Sequence, residues 1–440
     1  MENCLKLLKR RMSMNRKLFL LIFCFTLFKY CHAQSWQSLG GGASFSVYAL
    51  AVDSVRDELY VGGWFDRVGS TYVNGIAKWD GLNWHVLNGG VNSGGSVNTI
   101  LIYNNEVYVG GNFDSIGGIA ANNVARWDHS SWHPIGHGFN GTVFTLTVHM
   151  GEIYAGGNYS TSGINSANFL AKWNGSNWID QGVGLTDPIW ASVSYNNELI
   201  IAGVKSPMKW NGNSWQFIGT YLGSHVFKLK IVQGELYVGG RFARGNAPVI
   251  RYFSKWENND WQVLPYPNVN NTLDPNVSDI IEYNGEIVIT GSFKSPANIA
   301  KFNGTTYDSL SKGVSAAGNC LEIFRNDLIV GGIFNYAGNQ VPGTSNLARW
   351  VLNTEIGETD DAERIIRLRI NDDVISAIEI PESVYITGFE FEIFDLNGKS
   401  MESVSIRNGE KIYMKNYSPG LYLYRIIAGQ KVFAGKFCII

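Results

Sequence analysis

From residue 47 onward the chain alternates apolar and polar positions in short runs, the period-two pattern of half-buried strands. One run keeps returning. "LYVGGWF" at 59 recurs as "VYVGGNF" (107), "IYAGGNY" (153), "LIIAGVK" (199), "LYVGGRF" (236), "IVITGSF" (287) and "LIVGGIF" (328), seven copies spaced 37 to 51 residues apart. Six copies are followed by a second phrase: "IAKWDGLNW" (76), "VARWDHSSW" (124), "LAKWNGSNW" (170), "MKWNGNSW" (208), "FSKWENNDW" (253) and "IAKFNGTTY" (299). In these, two aromatic residues stand five apart around a turn usually built on Asp-Gly or Asn-Gly. Such dipeptides supply the positive φ angles of a tight hairpin, which makes the two aromatics cross-strand partners. Ahead of each glycine pair lies a further alternating run, such as "VYALAV" at 47.

Each repeat therefore predicts four short antiparallel strands: A, the first run; B, ending in the glycine pair; C and D, each carrying one aromatic. Repeated at this period, they predict an all-β chain built as a seven-bladed β-propeller with strand A innermost. The seventh repeat contributes "LARWVLN" at 347 but no second aromatic after Trp350, whereas "QSWQSLGGG" at 34 is a strand D with no strand C before it. The N-terminal strand is expected to close the last blade, with Trp36 facing Trp350, and so to remove two open sheet edges. On its glycine pairs and paired aromatics, the stretch 35–353 resembles the kelch-type propellers, and more closely the Rax-like cortical polarity-marker propellers. That resemblance implies a fold and no particular activity.

What flanks the repeats speaks of export. Residues 1–33 predict a signal peptide: Arg16 and Lys17 precede a largely apolar stretch, 18–28, too short to span a bilayer, and Ala33 is a small residue at the cleavage point. No other stretch predicts a transmembrane helix. Cleavage would leave 28 basic against 36 acidic residues, about −8, which gives no electrostatic case for nucleic acid. Of five cysteines only Cys320 and Cys438 would remain, so no disulfide framework is expected. Residues 354–364, "TEIGETDDAER", read as a linker. Residues 365–440 read as a small β-sandwich with turns at Asn397-Gly398 and Pro419-Gly420. This tail resembles the C-terminal sorting domains of type IX secretion cargo in Bacteroidota, at Phe394, Asp395 and Gly398, then Gly420, Leu421 and Tyr422, then Lys436. The resemblance implies that the type IX machinery is a partner.

Fourteen tryptophans raise the prospect of saccharide stacking, but twelve of them occupy the C and D positions of the repeat. Rings recurring there pack blade on blade, each burying about 150–250 Å², or roughly 4–6 kcal/mol of gross transfer energy. Trp64 and Trp190 break the pattern. Trp190 belongs to a set of equivalent strand A positions with Tyr48, Asn98, Phe144, Phe227, Ser278 and Asn319, expected to ring one mouth of the central channel. Binding candidates are therefore Trp64, Trp190, Tyr48, Phe144 and Phe227, with Trp36 and Trp350 as structural closure.

Loop lengths point to one face. From the second glycine to the first aromatic the gap is 16 residues in blades 1, 2, 3 and 5, but 7 in blade 4, 11 in blade 6 and 18 in blade 7. Binding residues gather on loops carried by a rigid scaffold, so a notch over blades 4 and 6 on the B–C and D–A face is the expected site. His129, His133 and His137 have tempting spacing, yet His129 falls in a hairpin turn and His133 beside the second aromatic on the outer strand, and neither a metal site nor a cofactor is assigned. Asp53, Asp66, Asp114, Asp187, Asp274 and Asp279 offer carboxylates that no sequence argument pairs for glycosidase chemistry. Asp66 and Asp114 are expected to satisfy loop backbone donors. The sequence thus favours a secreted or cell-surface, non-catalytic propeller that binds a glycan or a protein. A polysaccharide hydrolase or lyase and a structural adhesin are the alternatives.

Overall fold

The computed structural model describes residues 33–243, 250–265, 275–295 and 297–353, together with seven strands beyond residue 366. The predicted signal segment before Ala33 and the linker 354–364 lie outside the described residues. The chain divides into two units, one spanning Gln34–Val351 and the other containing Leu352–Ile440.

The first unit is a seven-bladed β-propeller. Blade 1 consists of Val47–Asp53, Glu58–Gly63, Ile76–Trp79 and Trp84–Val86, hydrogen-bonded in that order, and blades 2 to 6 repeat the plan. In blade 7, Gly318–Phe324, Asp327–Gly332 and Leu347–Asn353 are completed on the outside by Ala33–Ser38. Each strand A touches strand A of the next blade, and the seventh touches the first, so the ring is closed.

The double glycine has two separate causes. A Cβ on Gly62 would stand 2.7 Å from Val97 Cγ1 on strand A of blade 2, so this position must be small for the next blade to approach. Gly63 instead lies against the Ser46 carbonyl just ahead of its own strand A, beside a β-bulge between Val47 and Ala49. Blade 6 inverts the first arrangement. Thr290 replaces the small residue, and the valine or isoleucine it would meet is Gly318.

The aromatic pairs are in contact in all seven blades, with centroids between 4.9 Å (Trp79–Trp84) and 5.5 Å (Trp210–Trp215); the six tryptophan pairs are tilted or edge-on, and Phe302–Tyr307 is stacked. The strand D ring also carries a donor. Trp84, Trp132, Trp178, Trp215, Trp261 and Trp36 each donate Nε1–H to a backbone carbonyl at the end of the preceding blade's strand D, at 2.9 to 3.0 Å. In blade 6 the Tyr307 hydroxyl does the same to Pro265 at 2.7 Å. A tryptophan here supplies apolar area on one edge and a satisfied hydrogen bond on the other. The strand C rings lack this latch, and the ring of Trp210 in blade 4 is 41% exposed, against the burial expected of a repeat position.

A ring of ion pairs runs round the outside. The basic residue before each strand C aromatic meets the acid that opens strand B: Lys78–Glu58 at 2.7 Å, Lys172–Glu152 at 3.0 Å, Arg349–Asp327 at 3.4 Å, and likewise in the other four blades.

In the second unit, Arg367–Asn371, Val374–Glu379 and Ile412–Tyr413 form one antiparallel sheet, and Ser400–Ile406, Phe389–Phe394, Gly420–Ala428 and Lys431–Ile439 form another. Phe391 and Ile393 are buried. The predicted turn at Asn397-Gly398 and the residue Pro419 lie outside the described residues.

Candidate functional site

The B–C and D–A connections share one face, and their ends are tied together there. The 16-residue gaps of blades 1 to 3 each hold a small extra ribbon, such as Arg67–Val68 with Thr71–Tyr72, where the sequence suggested only loops. A polar side chain from the D–A loop caps each ribbon: Asn92 Oδ1 accepts from the Asp114 and Ser115 amides, and Asn140 Oδ1 from Ser160 and Thr161. The acids expected to take such donors do not do so. Asp66 accepts the Ser44 hydroxyl at 2.6 Å, and it is Ser44 Oγ that accepts from the Asp66 and Arg67 amides.

Every residue of the predicted channel-mouth ring proves to be the extra residue of a strand A bulge, so Tyr48, Asn98, Phe144, Trp190, Phe227, Ser278 and Asn319 occupy one structural position. Bulges re-aim side chains, and here they aim two kinds. Asn98 and Asn319 donate to the carbonyls of Val143 and Val47 on the next blade. Phe144, Trp190 and Phe227 form instead a half-buried aromatic cluster with His225: Trp190 stacks on His225 at 4.9 Å and on Phe227 at 5.4 Å, with Phe144 edge-on at 6.3 Å. Tyr48 stands outside this cluster. His225 was not legible as a candidate, because it lies one residue before the repeated valine.

Trp64 lies on blade 1, 47% exposed, with its centroid 5.3 Å from that of Phe45, which is 52% exposed. The two rings border a depression of about 220 Å³ that also contains Asp66, Asn74, Asn92 and Ser93. The short loops of blades 4 and 6 make two depressions, not one notch. The one over blade 4 measures about 230 Å³ and holds the Lys205–Asp187 ion pair beside Met208 and Phe217. The one between blades 6 and 7 measures about 810 Å³. A further cleft of about 370 Å³, on the flank between blades 3 and 4, is lined by Trp210, Trp215, Tyr154, His149 and Glu198.

The inner strands carry charge on one side. Lys228 meets Asp279 at 3.0 Å, and the other Asp279 oxygen accepts from the Leu321 amide. Burial alone would lower the Lys228 pKa, but the Asp279 carboxylate raises it on balance. Burial pushes the neighbouring Glu322 carboxyl up and holds the Cys320 thiol well above its ordinary range.

His129, His133 and His137 do not converge on one point among the described residues. His129 approaches Asp53 and Glu58, their ligand atoms lying within 4.8 Å of one another. Each is already engaged: Asp53 by Arg56 at 3.1 Å, Glu58 by Lys78, and His129 Nε2 by the Asn105 carbonyl at 2.8 Å. The arrangement ties blade 1 to blade 2.

Residues 85–235 match the family model of the Rax2 C-terminal beta propeller domain, and residues 372–440 match that of the secretion system C-terminal sorting domain. Among curated proteins none matches the chain. Two similar solved structures are extracellular domains from B. thetaiotaomicron, one of a hybrid two-component system and one of a one-component system. Each is 12% identical, with TM-scores of 0.47 and 0.48, and the matches cover 92% and 93% of this chain but 57% and 58% of theirs. The chain thus spans a little over half the length of these structures. The C-terminal match carries a definite meaning: a type IX sorting domain makes this a secreted or outer-membrane surface protein that engages the type IX machinery. Among the described residues no helix is long and apolar enough to cross a membrane.

Proposed function

We propose that this is a non-catalytic binding propeller that holds a saccharide or a protein partner on its loop-bearing face. In this reading residues 1–33 direct Sec export, 35–353 form the binding domain, and 354–364 link it to the sorting tail, 365–440. The aromatic bulge cluster carries the proposal. The same position in blades 2 and 7 is filled by asparagines that stitch blades together, so the fold itself does not call for Phe144, Trp190 and Phe227. Partly exposed rings grouped on a rigid scaffold are the usual means of holding a sugar face or a partner's side chain. The exposed Phe45–Trp64 pair adds a second platform on the same face.

The test is a glycan array and a surface-protein pull-down with the full-length exported chain, alongside an assay for released reducing sugar. Trp190→Ala should lower retention of the ligand by about tenfold or more, the scale of a central aromatic anchor, while Trp210→Ala on the opposite hairpin side leaves it unchanged. Release of sugar products would instead establish a hydrolase or lyase.

A further inference from the structure

The depression between blades 6 and 7 differs from the others in its charge. Lys294 and Lys312 both line it, no carboxylate does, and among the described residues neither lysine has an ion pair or hydrogen bond. Many other basic side chains of the propeller are paired: every strand C lysine or arginine meets a strand B acid, Lys205 meets Asp187, and Lys228 meets Asp279. Two unpaired ammonium groups beside one concave surface, on a chain of net negative charge, form a local positive field.

The rest of the lining suits a hydroxyl-rich ligand. Phe293, Lys294 and Ala297 from the short B–C connection of blade 6 line it, and Tyr336, Gly338, Asn339 and Gln340 from the long one of blade 7 form another wall. That wall is fixed. Ser315 Oγ accepts from the Asn335 and Tyr336 amides at 3.0 and 3.2 Å, the Ser315 amide donates to the Tyr336 carbonyl at 3.0 Å, and Gly338 N donates to Gly313 O at 2.8 Å. Tyr336 is thereby held by its backbone while its ring stays 36% exposed. Asn339 and Gln340 line the same wall, and among the described residues their amides have no partner. An aromatic face, two free amides and two cations in about 810 Å³ match the groups of a charged sugar.

We infer that this depression binds an acidic saccharide, with Lys294 and Lys312 taking its carboxylate or sulfate and the Tyr336 ring taking a sugar face. The inference rests on the reading of the loop-bearing face as the binding surface.

Full-length exported protein is titrated with polygalacturonate, with dextran sulfate, with neutral dextran and with poly-glutamate. The expected result is binding to one or both acidic polysaccharides, weaker binding to neutral dextran and to poly-glutamate, and loss of affinity as salt is raised. The two acidic polymers separate carboxylate from sulfate. The double variant Lys294→Gln/Lys312→Gln and, separately, Tyr336→Ala should each lose about tenfold in affinity. Lys78→Met, which removes a charge at an ion-paired blade position, should lose none, and equal melting temperatures exclude misfolding as the cause. Binding to neither acidic polysaccharide, equal binding to poly-glutamate, or an unchanged affinity in the double variant would overturn the inference. If a Trp190-dependent ligand is still retained in that case, only the acidic-saccharide assignment falls. If nothing is retained on that face, the binding reading falls with it.

Discussion

Trp36 Nε1 donates to the carbonyl of Leu310 at 2.9 Å across 274 residues of sequence, and its ring lies 5.1 Å from that of Trp350. The first strand of the propeller is thus latched to blade 6 by the same bond that latches every other strand D to its predecessor. Trp350, by contrast, has a buried Nε1 with no partner. The two indoles make a controlled pair. Trp36→Phe keeps most of the ring but orphans a buried carbonyl, and should cost about 1–2 kcal/mol. Trp350→Phe orphans nothing and should cost less. Denaturant midpoints compare them directly, and deletion of residues 34–40, which reopens two sheet edges, should exceed both.

Asn346 closes the same seam on the loop face. Its Oδ1 accepts from the Phe334 amide and its Nδ2 donates to the Ala43 carbonyl, each at 3.0 Å, from a backbone φ of 58°. Asn123 and Asn298 repeat the arrangement in blades 2 and 6. Asn346→Ala should cost about 2–3 kcal/mol, since it forfeits both bonds and puts alanine in a left-handed conformation. Asn346→Gly, which relieves only the backbone, should recover part of the loss in a thermal melt.

The blades were legible because their signals are local. A glycine pair, a hairpin dipeptide and two aromatics five apart all act within one repeat, so counting them gave the strands, the seven blades and the partner of the N-terminal strand. What escaped the sequence joins residues on different strands and blades, from 11 to more than 40 positions apart. That "Lys-Trp" answers a glutamate at the start of strand B, that each strand D indole reaches the previous blade, and that Asn92 rather than Asp114 caps a ribbon all depend on which surfaces meet. The candidate site shows the same division. Trp64 and Trp190 stood out as departures from the repeat, whereas His225, Phe45 and Tyr336 occupy positions with no repeated pattern to depart from. The lysines of the blade 6–7 depression look, in sequence, like any other surface lysines.

Thr290 and Gly318 should behave as a compensating pair. In blades 1, 2, 3, 5 and 7 a strand B glycine faces a valine or isoleucine of the next strand A, and blade 6 exchanges the two sizes. Gly318→Val alone forces a branched side chain onto Thr290 and should cost about 1–3 kcal/mol through overpacking. Adding Thr290→Gly restores the arrangement of the other blades and should return most of that stability. A double-mutant cycle with no coupling energy would contradict the exchange.

Glu322 gives the propeller a pH dependence of predictable sign. Burial raises its carboxyl pKa, only partly offset by Lys230 and by the Ile323 amide bonded to its Oε1 at 3.0 Å. The folded state therefore binds this proton more tightly than the unfolded chain does. Its favourable contribution is complete below the ordinary carboxyl range and is lost as pH rises through the elevated pKa. Once ionised above that elevated pKa, the buried group is a liability. Glu322→Gln should then stabilise the protein by about 0.5–1 kcal/mol, within the usual range for relieving one unfavourable site. The gain should vanish on acidification, so melting temperatures of the two proteins, separated above that pKa, should converge at low pH. Asp279 shapes the choice of control. Its carboxylate is bound to Lys228 and to the Leu321 amide, so Asp279→Asn strips a partner from a lysine raised by that contact and should destabilise at neutral pH. Opposite signs from two carboxylates on adjacent inner strands would establish that their surroundings, and not their shared place in the channel wall, set what each contributes.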